Sequence, residues 1–266
     1  MDGGTRWLGP GPGHSRQDRS LSVRISGDGR PLVHSFSGDD FRACADYLGI
    51  DPEPKRADAP TPRRTPPPVP DQRALAIWRD AKPDGEIVAV YLRSRGITIP
   101  IPPTLRQGTA ILHGRTPVPA MVASVQGPDR RIMAVQLTYL TWEGRKAPVT
   151  KPRMATGPTR TSAVRLAAVG EVLGLAEGIE TALSAMQLAG IPVWATLGAE
   201  NLSLAHVPDR VRELHVFADA DRAGQAAADK TAERHSRRGL KVLIRTPPEG
   251  FGDWNDVVAA KAREVA

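Results

Sequence analysis

Four short apolar runs, separated by segments with helical spacing, dominate the C-terminal part of the chain. The runs occupy residues 172–176, 193–197, 214–218 and 240–244, and the helical segments occupy 179–189 and 223–237. Gly190 and Gly239 follow the two helical segments, at positions where glycine favours helix termination. Continuous apolar runs are typical of parallel strands buried on both faces, and the helices between them supply the crossovers. This pattern predicts a Rossmann-like parallel sheet of about four strands flanked by helices.

The N-terminal residues show weaker patterns. Residues 1–51 are rich in Gly and Ser, and they contain a strand-like run over 21–25 and a predicted helix over 39–48 that ends at Gly49. Residues 52–71 are rich in proline, with eight prolines between Pro52 and Pro70. Such a composition predicts an extended linker with no core of its own.

Residues 72–166 combine both kinds of periodicity. Helical spacing occupies 72–81 and 87–95, and strand-like alternation occupies 120–126 and 132–140. These residues predict a smaller α+β region that precedes an α/β domain over 167–266. The fold class expected for the chain is therefore α/β.

Charge and composition narrow the function classes only partly. The chain has 36 Lys plus Arg against 29 Asp plus Glu, which is compatible with a polyanionic partner and equally with the codon bias of a GC-rich genome. Its apolar runs are too short to predict a membrane span or a secretory signal. A lone cysteine, Cys44, excludes an intramolecular disulfide framework, so a cytoplasmic protein is expected.

Carboxylates follow two of the predicted strands. Glu177 comes directly after the run 172–176, and Asp219 and Asp221 come after the run 214–218. We expect these side chains to converge, because ligands collect at the carboxyl ends of parallel strands and alternate residues of an extended segment point the same way. Clustered carboxylates repel each other unless a cation neutralises them, and oxygen ligands suit Mg²⁺ or Mn²⁺. The pattern therefore predicts a site for metal-assisted phosphoryl transfer.

These segments resemble the Toprim domain, which is shared by bacterial primases, type IA and type II topoisomerases and some nucleases. The segment Leu175-Ala-Glu-Gly-Ile-Glu-Thr-Ala-Leu183 is similar to the first Toprim motif. Val216-Phe-Ala-Asp-Ala-Asp-Arg-Ala-Gly224 is similar to the second, in the form typical of primases and of primase-like proteins of phages and plasmids. The resemblance implies that Glu177 is a general acid/base or metal-adjacent carboxylate and that Asp219 and Asp221 hold Mg²⁺.

Three positions bear on how complete that site is. Ala223 stands where many Toprim domains have a third aspartate, which puts a two-metal site in doubt. The segment Asp253-Trp-Asn-Asp256 is similar to the family's acidic motif after the fourth strand. Its last residue, Asp256, either supplies a missing carboxylate or caps the terminal helix. Glu180 could serve the site, but its place in the first turn of a predicted helix favours stabilisation of the helix N-terminus.

The first region resembles the zinc-binding domain of primase-like proteins in a degenerate form. The segments Gly11-Pro-Gly-His14, Arg19-Ser-Leu-Ser-Val23 and Pro31-Leu-Val-His-Ser-Phe-Ser-Gly38 follow the outline of that domain. Gly11 and Ser35, however, stand where cysteines are expected. A metal-free remnant is therefore the favoured interpretation, and the alternative is an unusual metal site built from His14, His34, Asp39 and Cys44.

A basic segment precedes the acidic motifs. Against one acid, Glu143, it carries several cations that could follow a nucleic-acid backbone or bind nucleotide phosphates, namely Arg145, Lys146, Lys151, Arg153 and Arg160. An exposed, solvated loop is an equally valid interpretation of this run.

The leading functional hypothesis is a primase-like nucleotidyltransferase. It would make primers on single-stranded DNA from nucleotides with Mg²⁺ or Mn²⁺, during replication of a chromosome or a mobile element. A separately encoded replicative helicase is a candidate partner. A topoisomerase needs a tyrosine nucleophile in a further domain, and the chain offers only Tyr47, Tyr91 and Tyr139. The alternatives are a non-catalytic nucleic-acid-binding accessory protein and a Toprim nuclease.

Overall fold

A computed structural model describes residues 6–25, 31–50, 68–112 and 116–265 of the chain. The chain divides into two compact units, residues 1–66 and residues 67–266. Most of the proline-rich segment predicted as a linker over 52–71 lies outside the described residues, which resume at Pro68. Within the described residues, no helix is both long and apolar enough to cross a bilayer.

The first unit contains a small antiparallel sheet and one helix. Its strands β1 (Arg6–Gly9), β2 (Leu21–Ile25) and β3 (Pro31–Ser35) pair in the order β1-β2-β3. Helix α1 (Phe41–Leu48) begins where the Asp40 side chain accepts hydrogen bonds from the backbone N–H groups of Arg42 and Ala43, and it ends at Gly49 in the left-handed conformation. The predicted strand and helix of this region are confirmed, while β1 and β3 were not predicted.

The second unit begins with two helices and an antiparallel sheet. Helices α2 (Gln72–Asp80) and α3 (Glu86–Ser94) match the predicted helical segments within a few residues. The sheet has the order β4-β5-β6-β7, and its strands are β4 (Leu105–Leu112), β5 (Thr116–Gln126), β6 (Ile132–Tyr139) and β7 (Arg153–Thr156). The central strands β5 and β6 were predicted from their alternation; the outer strands β4 and β7 were not.

A second sheet of the same unit has the order β12-β11-β9-β10-β8. The strands β9, β10, β11 and β12 run parallel, and β8 (Val164–Arg165) pairs antiparallel with β10 at the edge. The parallel strands are β9 (Val172–Ala176), β10 (Val193–Ala195), β11 (Glu213–Phe217) and β12 (Lys241–Arg245). The predicted four-stranded parallel sheet is therefore confirmed, with one additional antiparallel edge strand.

Four helices accompany this sheet. They are α4 (Ile179–Ala189), α5 (Ala199–Leu202), α6 (Arg222–Ser236) and α7 (Trp254–Val265). Helix α4 packs on β9 and β10 and also on α7, whereas α6 packs on β11 and β12. The close approach of β9 to its neighbours requires a glycine, since a Cβ on Gly174 would lie 2.7 Å from Val193 and 2.8 Å from Phe217.

One hydrophobic core joins the two sheets of the second unit. It contains buried side chains from the antiparallel sheet, such as Leu105 and Met121, together with Ile179 and Leu183 of α4 and Phe217 of β11. Because the same core is shared, the antiparallel sheet is fixed relative to the parallel one, and residues from both reach one cleft.

Candidate active site

The carboxyl ends of β9 and β11 form one wall of a cleft of about 220 Å³. The two strands are adjacent and parallel, with Ala176 opposite Phe217, so the residues that follow them, Glu177 and Asp219, lie at the same edge of the sheet. Asp253, which directly precedes α7, adds a third carboxylate. The complete lining is Gln136, Arg153, Glu177, Gly178, Thr181, Leu197, Gly198, Asp219 and Asp253.

Asp219 is held close to the start of α6. A Cβ on Gly224 would lie 2.7 Å from the carbonyl oxygen of Asp219, so only a glycine permits this approach. Burial raises the pKa of Asp219 to about 6, and the negative charges of Glu177, Asp253 and Asp221 add to the effect. Its Oδ1 atom is buried and has no hydrogen-bond partner among the described residues. The side chain is therefore placed to bind something that the protein itself does not provide.

Glu177 lies half-buried beside the loop that follows β10. Burial and the charge of Asp221 raise the pKa of Glu177, while Arg153 and a hydrogen bond from the backbone N–H of Ala199 act in the opposite direction. The loop is in an unusual conformation, since Leu197 has a φ of 64°. Its backbone N–H donates to the carbonyl of Glu177 at 2.8 Å, and this bond fixes the loop at the cleft.

The other two predicted acids lie at helix starts. Asp221 accepts a hydrogen bond from the backbone N–H of Gly224 at 2.7 Å and so caps α6, although its charge still acts on Glu177 and Asp219. Asp256 is exposed, outside the cleft lining, and accepts from the backbone N–H of Gly252 at 3.2 Å. Asp253, not Asp256, faces the cleft; its Oδ1 also accepts from the backbone N–H of Asp256 at 2.8 Å.

Glu180 is the centre of a buried ionic network. Only 3 % of the residue is exposed, and its carboxylate accepts a hydrogen bond from the Tyr91 hydroxyl at 2.6 Å. It also pairs with Lys146 at 3.1 Å and with Arg153 at 2.9 Å. Burial alone would raise the pKa of Glu180, but the charges of Arg153 and Lys146 and the Tyr91 hydrogen bond outweigh it and lower the pKa to about 2. Glu180 is therefore ionised and paired, and it also lies in the first turn of α4, where the sequence placed it.

The predicted basic residues separate into two groups. Arg153, on β7, lines the acidic cleft and pairs with Glu180, and Lys146 joins the same pair. Arg145 and Lys151 are exposed and lie outside the cleft lining. Arg160 approaches Glu200 at 3.6 Å and lines a second depression of about 440 Å³, which shares Leu197 and Gly198 with the cleft.

Three polar side chains of the lining, those of Gln136, Thr181 and Asp253, were not singled out in the sequence. Asp253 lies in a motif that was recognised, but the other acid of that motif was chosen. Gln136 on β6 and Thr181 on α4 carry no distinguishing pattern. These residues are recognised as part of the cleft only because β6, α4 and the start of α7 meet there.

The cleft fits a hard divalent cation such as Mg²⁺ or Mn²⁺. The unpartnered buried oxygen of Asp219 is a free ligand, and a cation would relieve the repulsion that raises the pKa of Asp219 and Glu177. In the part of the chain that the structure describes, no three His, Cys, Asp or Glu side chains are already grouped as metal ligands. Mg²⁺ commonly keeps several water ligands and binds through one or two carboxylates, so the arrangement fits a partly hydrated ion.

The degenerate zinc-binding outline of the first unit forms a hydrogen-bonded cluster. His14 lies 2.8 Å from Asp18 and 3.1 Å from Asp39, and Ser35 donates to Asp39 at 2.8 Å. Gly11 lies against the same carboxylate, since a Cβ there would be 2.6 Å from Asp39. His34 contacts the ring of Phe36 instead, and Cys44 is buried. His14, His34, Asp39 and Cys44 thus do not form a metal-ligand group among the described residues.

Comparison with protein families defines the class of the C-terminal part. Residues 172–264 match the family model of the Toprim domain, and residues 69–166 match a model described as a domain of unknown function, DUF7146. The chain therefore carries a Toprim domain at its C-terminus, which confirms the expected fold class. None of the curated proteins matches the sequence.

Three of the solved structures that match the chain are of primases. The primase fragment of the bacteriophage T7 primase-helicase is 16% identical with a TM-score of 0.45, and the match covers 97% of each chain. The zinc-binding and RNA polymerase domains of the Aquifex aeolicus primase are 14% identical with a TM-score of 0.45, covering 100% of this chain and 78% of that one. A DNA primase domain from Pseudomonas aeruginosa is 18% identical with a TM-score of 0.40, and the match covers 53% of this chain and 47% of that one.

Proposed function

We propose that the chain is a DNA primase-type nucleotidyltransferase that joins nucleotides into primers on single-stranded DNA with Mg²⁺ or Mn²⁺. The observation that carries the proposal is the composition of the Toprim cleft. Carboxylates of Glu177, Asp219 and Asp253 face the guanidinium of Arg153 across a space of about 220 Å³. Anionic metal ligands beside a cationic group that can bind phosphate are the components that phosphoryl transfer requires.

The carboxylates have separate roles in this proposal. Asp219 and Asp221 would hold the metal ion, Asp221 through the carboxylate oxygen that does not cap α6, and the ion would neutralise charge on the transferred phosphate. Glu177 has a raised pKa and lies at the same edge of the sheet, so it accepts the proton of the attacking 3′-hydroxyl. The new bond joins that oxygen to the α-phosphorus of the incoming nucleotide, and pyrophosphate leaves with the electrons of the broken bond.

Arg153 binds phosphate oxygens of the nucleotide. Its side chain is 43% exposed, so donors remain accessible beside the bond to Glu180. Arg153 belongs to the DUF7146 region, whereas Glu180 belongs to the Toprim region. Glu180 of the Toprim region therefore holds Arg153 of the DUF7146 region at the acidic cleft, and the proposed nucleotide site is built from both regions.

The tyrosines favour this proposal over a topoisomerase. Tyr91 is buried and donates to Glu180, and burial and the neighbouring charge of Glu180 raise its pKa far above the usual range. Tyr139 is also buried. Tyr47 is exposed and belongs to the first unit.

The test is primer synthesis on single-stranded DNA with labelled nucleotides and Mg²⁺ or Mn²⁺. Asp219→Asn and Glu177→Gln should each lower product formation by about a hundredfold or more, because each removes a group acting on the transition state. Asp229→Asn, an exposed carboxylate on α6, is the matched control and should retain wild-type activity.

Two other outcomes would reject the proposal. If the wild type makes no primers but binds DNA without Mg²⁺, and Asp219→Asn leaves that binding unchanged, the protein is an accessory factor. If the DNA itself is cut, and the cutting depends on Asp219, it is a Toprim nuclease. A replicative helicase added to the wild-type reaction tests the expected partner through the rate of primer formation.

A further inference from the structure

A groove of about 590 Å³ lies along the β8 edge of the parallel sheet, and it shares no lining residue with the acidic cleft. Three arginines line it together with Gln126, Trp194 and the segment 166–169; we call it the arginine groove after Arg130, Arg165 and Arg210. None of the described residues lining it is acidic. The segment 166–169 precedes β9 and Arg210 precedes β11, whereas the catalytic acids follow these strands. Trp194 of β10 lies opposite Leu175 of β9, so the groove follows the edge of the sheet and is not confined to the amino ends of its strands.

Arg165 is fixed within the groove. One terminal nitrogen of its guanidinium donates to the carbonyl of Gly127 at 2.7 Å, and the group lies 4.6 Å from the ring centre of Trp194. The Trp194 ring is itself anchored, because its Nε1 donates to the carbonyl of Ala167 at 2.9 Å. The Nε atom of Arg165 is buried and has no hydrogen-bond partner among the described residues. A rigid guanidinium with donors left over is well suited to an anionic ligand.

The other two arginines leave their charges available. Arg130 and Arg210 are exposed, and neither forms an ion pair among the described residues, while the nearby Asp129 and Asp209 pair with Arg131 and Arg238. Burial lowers the pKa of Arg165, and the positive charge of Arg130 lowers it further. Three like charges around one groove repel each other unless an anion binds between them.

The backbone at Arg130 is also unusual. Its φ of 66° lies in the left-handed region, which in a turn between strands is normally taken by Gly or Asn. An arginine in this conformation is strained, and its long cationic side chain lines the groove.

We propose that the arginine groove binds the phosphate backbone of the single-stranded DNA template outside the reaction cleft. A volume of this size accommodates a ligand of nucleotide dimensions, and guanidinium groups bind phosphate oxygens through paired hydrogen bonds. The identity of the strand rests on the proposed function; the existence of the binding site does not. The groove holds the template at a distance from the acids, so it adds affinity without entering the reaction.

The test measures binding of a labelled twenty-nucleotide deoxythymidine strand by fluorescence anisotropy, with EDTA present and no nucleotides. The variant is Arg130→Gln/Arg210→Gln, which removes two exposed charges and disturbs no described hydrogen bond of either side chain. The control is Arg79→Gln/Arg263→Gln, which removes two exposed charges elsewhere in the same unit. Thermal melting of all three proteins checks that the fold is kept.

The groove variant should bind about tenfold more weakly at moderate salt than the wild type. The slope of log K against log salt should become shallower by about 1.4, since each lost phosphate contact on a single strand is worth about 0.7. The control should change affinity less than about twofold. Equal effects of the groove and control variants would overturn the proposal, because they would show only the loss of general charge.

A second arm separates the strand from free phosphate compounds. Isothermal titration with inorganic pyrophosphate and with a nucleoside triphosphate should give the same affinity for the groove variant and the wild type. Loss of that affinity, with strand binding retained, would assign the groove to a free nucleotide and overturn the proposal. Because no primer is made in either arm, groove-dependent binding would still be detected in a protein that fails the synthesis test.

Discussion

Replacing Glu180 with glutamine tests the link between the two family regions. The substitution keeps the shape of the side chain but leaves Lys146 and Arg153 beside a neutral amide, and the Tyr91 hydroxyl without its charged acceptor. Removing one member of a buried ion pair costs about 3–5 kcal/mol. The pKa gives a similar figure, since a fall from 4.5 to about 2 corresponds to about 3 kcal/mol at neutral pH. We therefore expect the free energy of unfolding of the second unit to fall by about 3 kcal/mol.

The assay is urea denaturation of the full chain, followed by tryptophan fluorescence. Glu233→Gln, which breaks an exposed pair with Arg237, is the control and should cost less than about 0.5 kcal/mol. Tyr91→Phe should cost about 1 kcal/mol, because it removes one hydrogen bond. If Glu180→Gln costs no more than Glu233→Gln, the network does not join the regions and the reasoning fails.

The same network has a defined dependence on pH. The folded pKa of Glu180 lies below the value of 4.5 in the unfolded chain, so between about 2 and 4.5 the unfolded state binds more protons. The stabilisation is complete above this window and is lost as the pH falls through it. The loss should be absent in Glu180→Gln, and an identical acid profile for both proteins would contradict the assignment.

Three further predictions follow from single contacts. Gly224→Ala should lower primer synthesis by about a hundredfold, because the added Cβ displaces Asp219. The control Gly170→Ala adds a Cβ that meets nothing within 4 Å and should keep wild-type activity, and equal activities of the two variants would contradict the prediction. Without metal at pH 7, Asp219→Asn should raise the free energy of unfolding by roughly 1–2 kcal/mol after allowance for solvent screening, and Mg²⁺ should stabilise only the wild type. Because the pKa of Asp219 is raised from 3.8 to about 6, this difference should grow as the pH rises through that interval and level off above it, which denaturation with EDTA at several pH values measures. Burial and two neighbouring arginines lower the pKa of His235 to about 4. The free energy of unfolding should therefore fall by roughly 1–2 kcal/mol as the pH drops from 6.5 to 4, and a His235→Gln variant that loses just as much stability over this interval would refute the prediction.

The pattern of apolar residues was sufficient to predict the buried strands of the fold, but it was insufficient to predict the exposed ones. Strand β9 is a continuous apolar run, and β11 is apolar except for Glu213 and His215, because both faces of these strands are covered by helices or by the other sheet. Strand β7 has four largely exposed residues and no alternation, and it becomes a strand only by pairing with β6. Strand β4 contains Gly108 in its interior, which weakens a local strand pattern.

The site was predictable where a residue follows a strand and not where distant elements meet. Glu177 and Asp219 could be placed because the ends of parallel strands share one edge of the sheet. The ionic partners of Glu180 could not be predicted, since Tyr91, for example, lies 89 residues away and only the shared core brings the two together. For Asp253 the deciding fact is where α7 begins, because the acid before the helix faces the cleft and the acid in its first turn does not.

The contacts of Arg153 and Gln136 give the region of unknown function a defined part in the site. Both residues come from the sheet β4–β7 and line the cleft beside the Toprim carboxylates. The Toprim helix α4 in turn buries an anion whose described ionic and hydroxyl partners all belong to the preceding region. A Toprim segment without that region would lose the cationic side of its cleft, leave Glu180 buried without counter-charges, and expose the apolar surface of the shared core. The two regions therefore form a single structural unit around the cleft, and the acidic motifs alone do not define its lining.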